Sequence, residues 1–239
     1  MRSDLDRPPR VHREVTSFVR RSARMRPSQR AAYEARAGHY LVEVPCGETS
    51  TSIAADAPPL DLVALFGREA PLVVEIGSGP GDSLVTMAAA RPAVNVLAFE
   101  VYEPAVAGVV ARLHREGVGN VRVVAADAVA GLDRLLPDGA LRELWTFFPD
   151  PWPKAKHHKR RLVDPDFAAL AARRLERGGR WRLATDWPGY ADAMRSVLDA
   201  SADLVAEPAD RGDRPVTRFE RRGREAGRPI TDLVYRRVG

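Results

Sequence analysis

The chain has 239 residues, 45% of them hydrophobic and 29% charged, which is enough apolar material for one full core with extensions. Its net charge of +5 and pI near 9.8 point to an acidic partner. No apolar run approaches the roughly 18 residues of a membrane span, and the N-terminus is charged where a signal peptide would be apolar, so nucleic acid is the expected partner and the cytoplasm the expected place. Cys46 is the only cysteine, which excludes an intrachain disulfide and a cysteine-based metal cluster and fits a reducing compartment; no metal is expected.

Residues 1–30 hold nine arginines against Asp4, Asp6 and Glu14, with Pro8, Pro9 and Pro27 and only scattered apolar positions. They read as a basic, mobile arm, either a solubilising tail or a phosphate-binding arm that orders on RNA. A short helix is expected over residues 28–36, a linker rich in small residues over 45–59, and a single domain over 31–239 with its core from about Leu60.

The apolar, β-branched run Leu72-Val-Val-Glu-Ile76 precedes Gly77-Ser-Gly-Pro-Gly81 and a helical stretch from Asp82 to Ala90. Strand, glycine turn and helix open a doubly wound α/β domain, with the glycines letting the backbone pass close to a ligand. Asp82 stands where a dinucleotide fingerprint would place its last glycine, so a pyrophosphate would meet a carboxylate. Glu75, just inside the strand end, suits a cationic ligand better. The next strand, over residues 94–99, leads into Glu100, 23 residues beyond Gly77, where a carboxylate can accept both hydroxyls of a ribose. The alternation continues with a helix over 104–116, a strand over 121–125 before Asp127, a strand over 143–148 before Asp150, a helix over 165–175, and a strand over 179–184 before Thr185-Asp186. Taken singly, either Asp127 or Asp186 among these acidic residues reads equally as a helix cap. Five in succession, counting Glu75, mark the carboxyl edge of the sheet as a binding site.

After the fourth of these strands comes Phe147-Phe-Pro-Asp-Pro-Trp-Pro-Lys154, followed at once by a dense basic run. Lys154, Lys156 and Lys159 are the chain's only lysines, and they lie with Arg160 and Arg161 inside eight residues. Pro149, Pro151 and Pro153 forbid a helix leading into the run and make a stiff loop. Trp145, Phe147, Phe148 and Trp152 set aromatic faces beside the cations, which suits a flipped-out base and its phosphates. Lys154, Lys156, Lys159, Arg160 and Arg161 are the expected phosphate contacts. Further on, Thr217-Arg-Phe-Glu-Arg-Arg has the alternation of a strand entrance, and seven arginines between Arg211 and Arg228 extend a basic rim around the acidic edge.

Glu75-Ile-Gly-Ser-Gly79, Ala98-Phe-Glu-Val-Tyr-Glu-Pro104, Phe148-Pro-Asp-Pro-Trp-Pro-Lys154 with its basic tail, Thr185-Asp-Trp187, and Thr217-Arg-Phe-Glu-Arg-Arg-Gly223 with Asp232-Leu233 together resemble the bacterial tRNA (guanine-N7-)-methyltransferase family, over about residues 15–235. The resemblance implies an α/β, Rossmann-like class I S-adenosylmethionine-dependent methyltransferase. Its sheet would have seven mostly parallel strands, the last antiparallel, with helices on both faces, and its substrate would be the variable-loop guanine of tRNA. By position, Glu75, Gly77, Gly79, Gly81, Glu100, Asp127 and Asp150 fall at cofactor positions. Lys154, Asp186, Thr217, Arg218, Phe219 and Glu220 fall at substrate positions, and Asp150 is the catalytic candidate; no protein partner is called for. N7 of guanine carries a lone pair and no proton, so Asp150 is expected to act by charge and not as a base. Asp150, Asp186 and Glu220 are all candidates for reading the guanine N1–H and N2–H₂ edge. Pro80 in the glycine turn and Trp152-Pro153 are the small departures from the family pattern.

Overall fold

The computed structural model describes residues 27–239, so the expected basic arm lies outside the described residues except for its last four. Those four open α1 (Pro27–Tyr40), a longer helix than expected. After α2 (Leu62–Phe66) the chain alternates β1 (Leu72–Ile76), α3 (Asp82–Ala90), β2 (Asn95–Phe99), α4 (Glu103–Glu116), β3 (Val121–Val124), α5 (Ala128–Leu135) and β4 (Leu141–Phe147). A six-residue 3-10 helix, Ala155–Arg160, follows. The chain then forms α6 (Pro165–Arg174), β5 (Leu175–Thr185), α7 (Pro188–Asp199), β6 (Leu204–Glu207), α8 (Arg218–Glu225) and β7 (Thr231–Arg237).

The seven strands make one sheet in the order β3-β2-β1-β4-β5-β7-β6. β7 alone runs antiparallel to its neighbours, so the mostly parallel sheet implied by the resemblance is present. Because helices cover both faces, the central strands are buried on both sides, which is why β1 and β2 are mostly apolar, broken only by Glu75 and Asn95. Leu72, Val74 and Ile76 enter the core beneath α5, α6 and α7, whereas Val73 enters the core beneath α3 and α4. Local capping agrees with this layout: Asp61, Asp127 and Asp164 accept from the third amide beyond them at the starts of α2, α5 and α6.

Three expectations need correction. The segment 45–59 is not a free linker: Ile53 is buried, Cys46 bridges to Ile53, and Thr51 O accepts from Asp127 N at 2.7 Å. Packing therefore reaches upstream of Leu60, where Tyr40 is buried against the α3–α4 face and Val42 N donates to Val123 O beside β3. The fifth strand begins at Leu175, not Gly179, since α6 passes into it directly and residues 176–179 bulge outward with Gly178 at φ 83°. Thr217–Arg222 is not a strand entrance but the cap and first turns of α8.

Gly131 on α5 faces Phe99, the last residue of β2, so closely that a Cβ would fall 2.1 Å from the ring. Gly131→Ala is expected to overpack this contact and destabilise the fold by about 1–3 kcal/mol. The readout is a lower urea midpoint at unchanged slope. An unchanged midpoint would mean that Phe99 has room to yield.

Candidate functional site

Strand order reverses between β1 and β4, and β1 is followed by a helix on one face while β4 leads, through its loop, to α6 on the other. This opens a crevice outside their carboxyl ends. Glu75, Glu100, Asp127, Asp150 and Asp186 all stand at this edge, as the sequence predicts. Gly77, Gly79 and Gly81 adopt φ of 70°, 51° and 79°, the left-handed conformation that turns β1 sharply into α3. At Gly81 a Cβ would press on Val85 and Val109 at 3.1 Å, so α3 and α4 come together only around a glycine.

Glu100 lies against this turn, its Oε2 accepting from Gly79 N at 2.7 Å and its Oε1 from Tyr102 N at 2.8 Å. Burial raises its pKa, those amides pull it back, and the charge of nearby Asp150 adds to the rise. Glu75 is 3% exposed, and its Oε2, like the buried Ser78 Oγ, has no hydrogen-bond partner within the protein. Burial pushes the Glu75 carboxyl up to about 8, with Glu100 and Asp82 adding repulsion. An orphaned carboxylate oxygen and hydroxyl at an open glycine turn fit a ligand that brings hydrogen-bond donors and positive charge. Asp127 is half-buried and caps α5 through Ala130 N at 3.0 Å, so the capping reading holds for it in the ligand-free protein.

The loop after β4 is strained in a specific way. Phe148 (φ 54°) and Trp152 (φ 44°) are the only non-glycine residues of positive φ among the described residues, and each immediately precedes a proline, which disfavours that conformation further. Arg160 lies 4.0 Å over the Trp152 ring. Arg161 lies over Tyr190 and donates from Nε to Pro151 O at 3.0 Å. These two arginines thus brace the loop, while Lys154, Lys156 and Lys159 project from its surface together with the carboxylate-bearing Asp150.

α8 closes the site from the far side. Thr217 Oγ1 accepts from Glu220 N at 3.1 Å, and Arg218 N donates to Asp82 Oδ2 at 3.0 Å, which ties the helix start to the glycine turn. The Phe219 ring, 40% exposed, sits 3.4 Å from where a Gly79 Cβ would lie. Glu220 is fully buried and paired with Arg211, with Arg214 at 2.7 Å and with Arg224 at 2.6 Å. Burial works to raise its pKa, but the hydrogen bonds from Arg214 and Arg211 outweigh that and hold it below the ordinary carboxylate range. Asp186 is gripped by Arg228, Nε at 2.8 Å and Nη2 at 2.7 Å. Of the three carboxylates expected to compete for the guanine edge, Glu220 and Asp186 are therefore engaged by arginines, and Asp150 is the exposed one.

The sequence reading assigned Ser78, Arg214 and Arg228 no individual role, counting the two arginines only within the basic rim, and left Asp232 only a place in the family pattern. Its usable signal was the Thr217-x-x-Glu220 spacing, a capping-box pattern that announces a helix. A depression lined by Phe66, Arg68, Pro92 and Asn120 opens at the opposite edge of the sheet. Its Arg68 and Asn120 already bond Asn95 and the carbonyls of Val94, Ala88 and Arg91, so it offers no comparable set of groups. Among the described residues no three His, Cys, Asp or Glu are grouped to hold a metal ion, and no helix is long and apolar enough to cross a membrane.

A family model described as "Putative methyltransferase" matches residues 69–233. The chain is 52% identical to a tRNA (guanine-N(7)-)-methyltransferase of Cutibacterium acnes, across 96% of this chain and 85% of that protein. It is 42% identical to a protein of the same description from Cronobacter sakazakii, across 98% and 96%. Among solved structures, the antibiotic-resistance methyltransferase Kmr superposes with a TM-score of 0.50 at 19% identity, covering 82% of this chain and 99% of that one, a likeness of fold.

Glu75 also gives the site a pH signature. In the unfolded chain it titrates near the ordinary value of ~4.3, and in the ligand-free fold near 8. Between these values the fold holds a proton that the unfolded chain has lost, so stability falls as pH rises, by at most ~1.4 kcal/mol per pH unit. Glu75→Gln mimics the protonated form and escapes this loss. Its thermal midpoint is expected to lie close to wild type near pH 5 and increasingly above it toward pH 8. A gap that does not widen with pH would show that Glu75 is already ionised in the ligand-free fold.

Proposed function

The chain belongs to the tRNA (guanine-N(7)-)-methyltransferase family, and from that premise we propose that it transfers the methyl group of S-adenosyl-L-methionine to N7 of the variable-loop guanine in tRNA. The observation that carries this reading is the buried, orphaned Glu75 carboxylate at the glycine turn, with the Asp150 loop and α8 converging on the same edge. S-adenosyl-L-methionine, when bound, supplies an electrophilic methyl on a sulfonium. Gly77, Gly79 and Gly81 would let it approach the backbone closely, Glu75 would take its donors and positive charge, Glu100 would have lone pairs for ribose hydroxyls beyond the two that accept from amides, and Asp127 would complete the set at the next strand end.

Guanine N7 already presents a lone pair, so no group has to remove a proton and no Lewis acid has to activate a nucleophile. What the protein supplies is alignment and charge. Positive charge passes from sulfur to the purine as the methyl moves, and Asp150, exposed at the crevice and close enough to Glu100 to repel it, stabilises that charge. Asp186 and Glu220, held by arginines, shape the purine pocket with Thr217, Arg218 and Phe219. Lys154, Lys156 and Lys159 take phosphates, while Arg160 and Arg161 contribute through the loop they brace. The domain from α1 (Pro27–Tyr40) onward carries the reaction, which runs in the cytoplasm without a metal or a second protein.

The direct test is to treat total tRNA with the purified chain and cofactor and map 7-methylguanosine by reductive strand cleavage; cleavage confined to the variable loop is expected. Asp150→Asn keeps shape and loses charge, and should lower kcat about 10²–10³-fold with little change in tRNA affinity. Wild type should show no basic limb in its pH–rate profile that this variant abolishes, and such a limb would make Asp150 a base.

The basic segments give a second expectation. Affinity for tRNA should fall steeply with salt, and removing residues 1–20 should flatten that slope while leaving cofactor affinity in place. A salt-independent affinity would sink the electrostatic rim.

A further inference from the structure

Arg214 is 1% exposed, more deeply buried than Arg174, the other buried arginine among the described residues. Its Nη1 donates to Glu220 Oε2 at 2.7 Å, and its Nη2 and Nε donate to Asp232 Oδ1 at 2.8 and 3.1 Å. Its guanidinium carbon lies over two rings at once, 5.5 Å from the centre of Phe147 and 5.1 Å from that of Phe148. One side chain thus joins the end of β4, the first turn of α8 and β7. Phe148 is the strained pre-proline residue of the loop, and Asp150 follows it by two positions. A left-handed residue before proline relaxes unless its surroundings hold it. Phe148 is held by the Arg214 guanidinium, by the bond from its own N to Ala184 O at 2.7 Å and by packing of its ring against the core beneath α3 and α4, and of these only the Arg214 contact ties it to α8 and β7.

The backbone around Arg214 is anchored without it. Asp213 pairs with Arg91 at 2.6 Å and with Arg182 at 2.8 Å, and Glu220 keeps Arg211 and Arg224 as further partners. The side chain of Arg214 therefore adds little to the path of its own segment and much to the placement of the two segments it touches.

We propose that Arg214 is a positioning residue for methyl transfer: its guanidinium locks the Asp150 loop and the Thr217–Glu220 turn of α8 to one another. The role rests on the reading that this edge methylates tRNA guanine. A lysine would keep the charge, but it reaches one carboxylate instead of two and has no planar face to lay on two rings.

The test is a kinetic cycle on the full chain with tRNA and cofactor, run well below the melting temperature. Arg214→Lys is expected to lower kcat about 10–100-fold, because small misplacements of reacting groups are costly, while cofactor affinity measured by calorimetry stays within about threefold. In an Asp150→Asn background the same change should cost less than about threefold, since Arg214 acts through the loop that Asp150 no longer serves. Wild-type turnover in Arg214→Lys, or an undiminished loss in the Asp150→Asn background, overturns the positioning role. If wild type makes no 7-methylguanosine, the functional reading falls instead. Should Arg214→Lys melt below the assay temperature, Phe148→Leu carries the test. It removes one stacked ring and leaves the ion pairs, and its loss of kcat must again shrink in the Asp150→Asn background for the proposal to stand.

Discussion

Burying carboxylates without enough cations to match them is the constraint from which the functional edge follows. Glu100 and Asp82 both oppose a charge on buried Glu75 at the glycine turn. The relief available is uneven: Glu100 takes two backbone amides, Asp82 takes Arg112 and the Arg218 amide, and one oxygen of Glu75 takes nothing. Across the crevice the opposite holds, since Glu220, Asp186 and Asp232 are each matched by arginine. The edge is thus divided into an under-compensated half, which gains from a cationic ligand, and a compensated half, which is rigid before any ligand arrives. A buried carboxylate lacking a partner weakens the ligand-free fold, and the same deficit strengthens binding of whatever supplies the missing charge.

The loop between the halves is rigid for a different reason. Prolines at 149, 151 and 153 remove backbone freedom, yet Phe148 and Trp152 occupy the conformation that a following proline disfavours. Each is covered by an arginine, Phe148 by Arg214 and Trp152 by Arg160. Cation and ring contacts therefore hold a backbone that its own local preferences would release, and they aim Asp150 from one end of the loop and Lys154 from the other. The composition of the basic run takes on a physical meaning here: the arginines have planes to lay on rings, and the lysines are left as point charges at the surface.

Much of this was legible in the sequence, and what was legible shares a cause. β1, β2 and the glycine turn follow from local chemistry alone, namely apolar runs buried on both faces and a turn that needs positive φ. Glu75, Glu100, Asp127, Asp150 and Asp186 could be placed because a parallel sheet brings every strand end to one edge once the alternation is recognised. The docking of segment 45–59 could not be read, because it depends on Ile53 filling a space made by α5 and on Thr51 meeting Asp127, residues more than 70 positions away. Arg214 was hidden for the same reason. In a chain with so many arginines, nothing local marks the one that is buried.

α8 was misread because two patterns compete in Thr217–Arg222. Its alternation of charged and other side chains resembles an edge strand, while Thr217-x-x-Glu220 has the spacing of a capping box, and the Thr217 cap prevails because its hydroxyl satisfies the Glu220 amide at the helix start. A helix of eight residues with no apolar stripe gains little from burial, and its only buried positions are Glu220 and Gly223. Gly223 lets the helix press on Asp186, where a Cβ would fall 2.7 Å away, and Glu220 draws three arginines around its base. Ion pairs in place of a hydrophobic face hold the helix, an arrangement that contributes little net stability but admits few alternative seatings, since any shift leaves a buried charge unmatched. That fixes the Phe219 ring against the glycine turn and the Arg218 amide on Asp82. The segment at the substrate positions and the turn at the cofactor positions are thereby held as one unit.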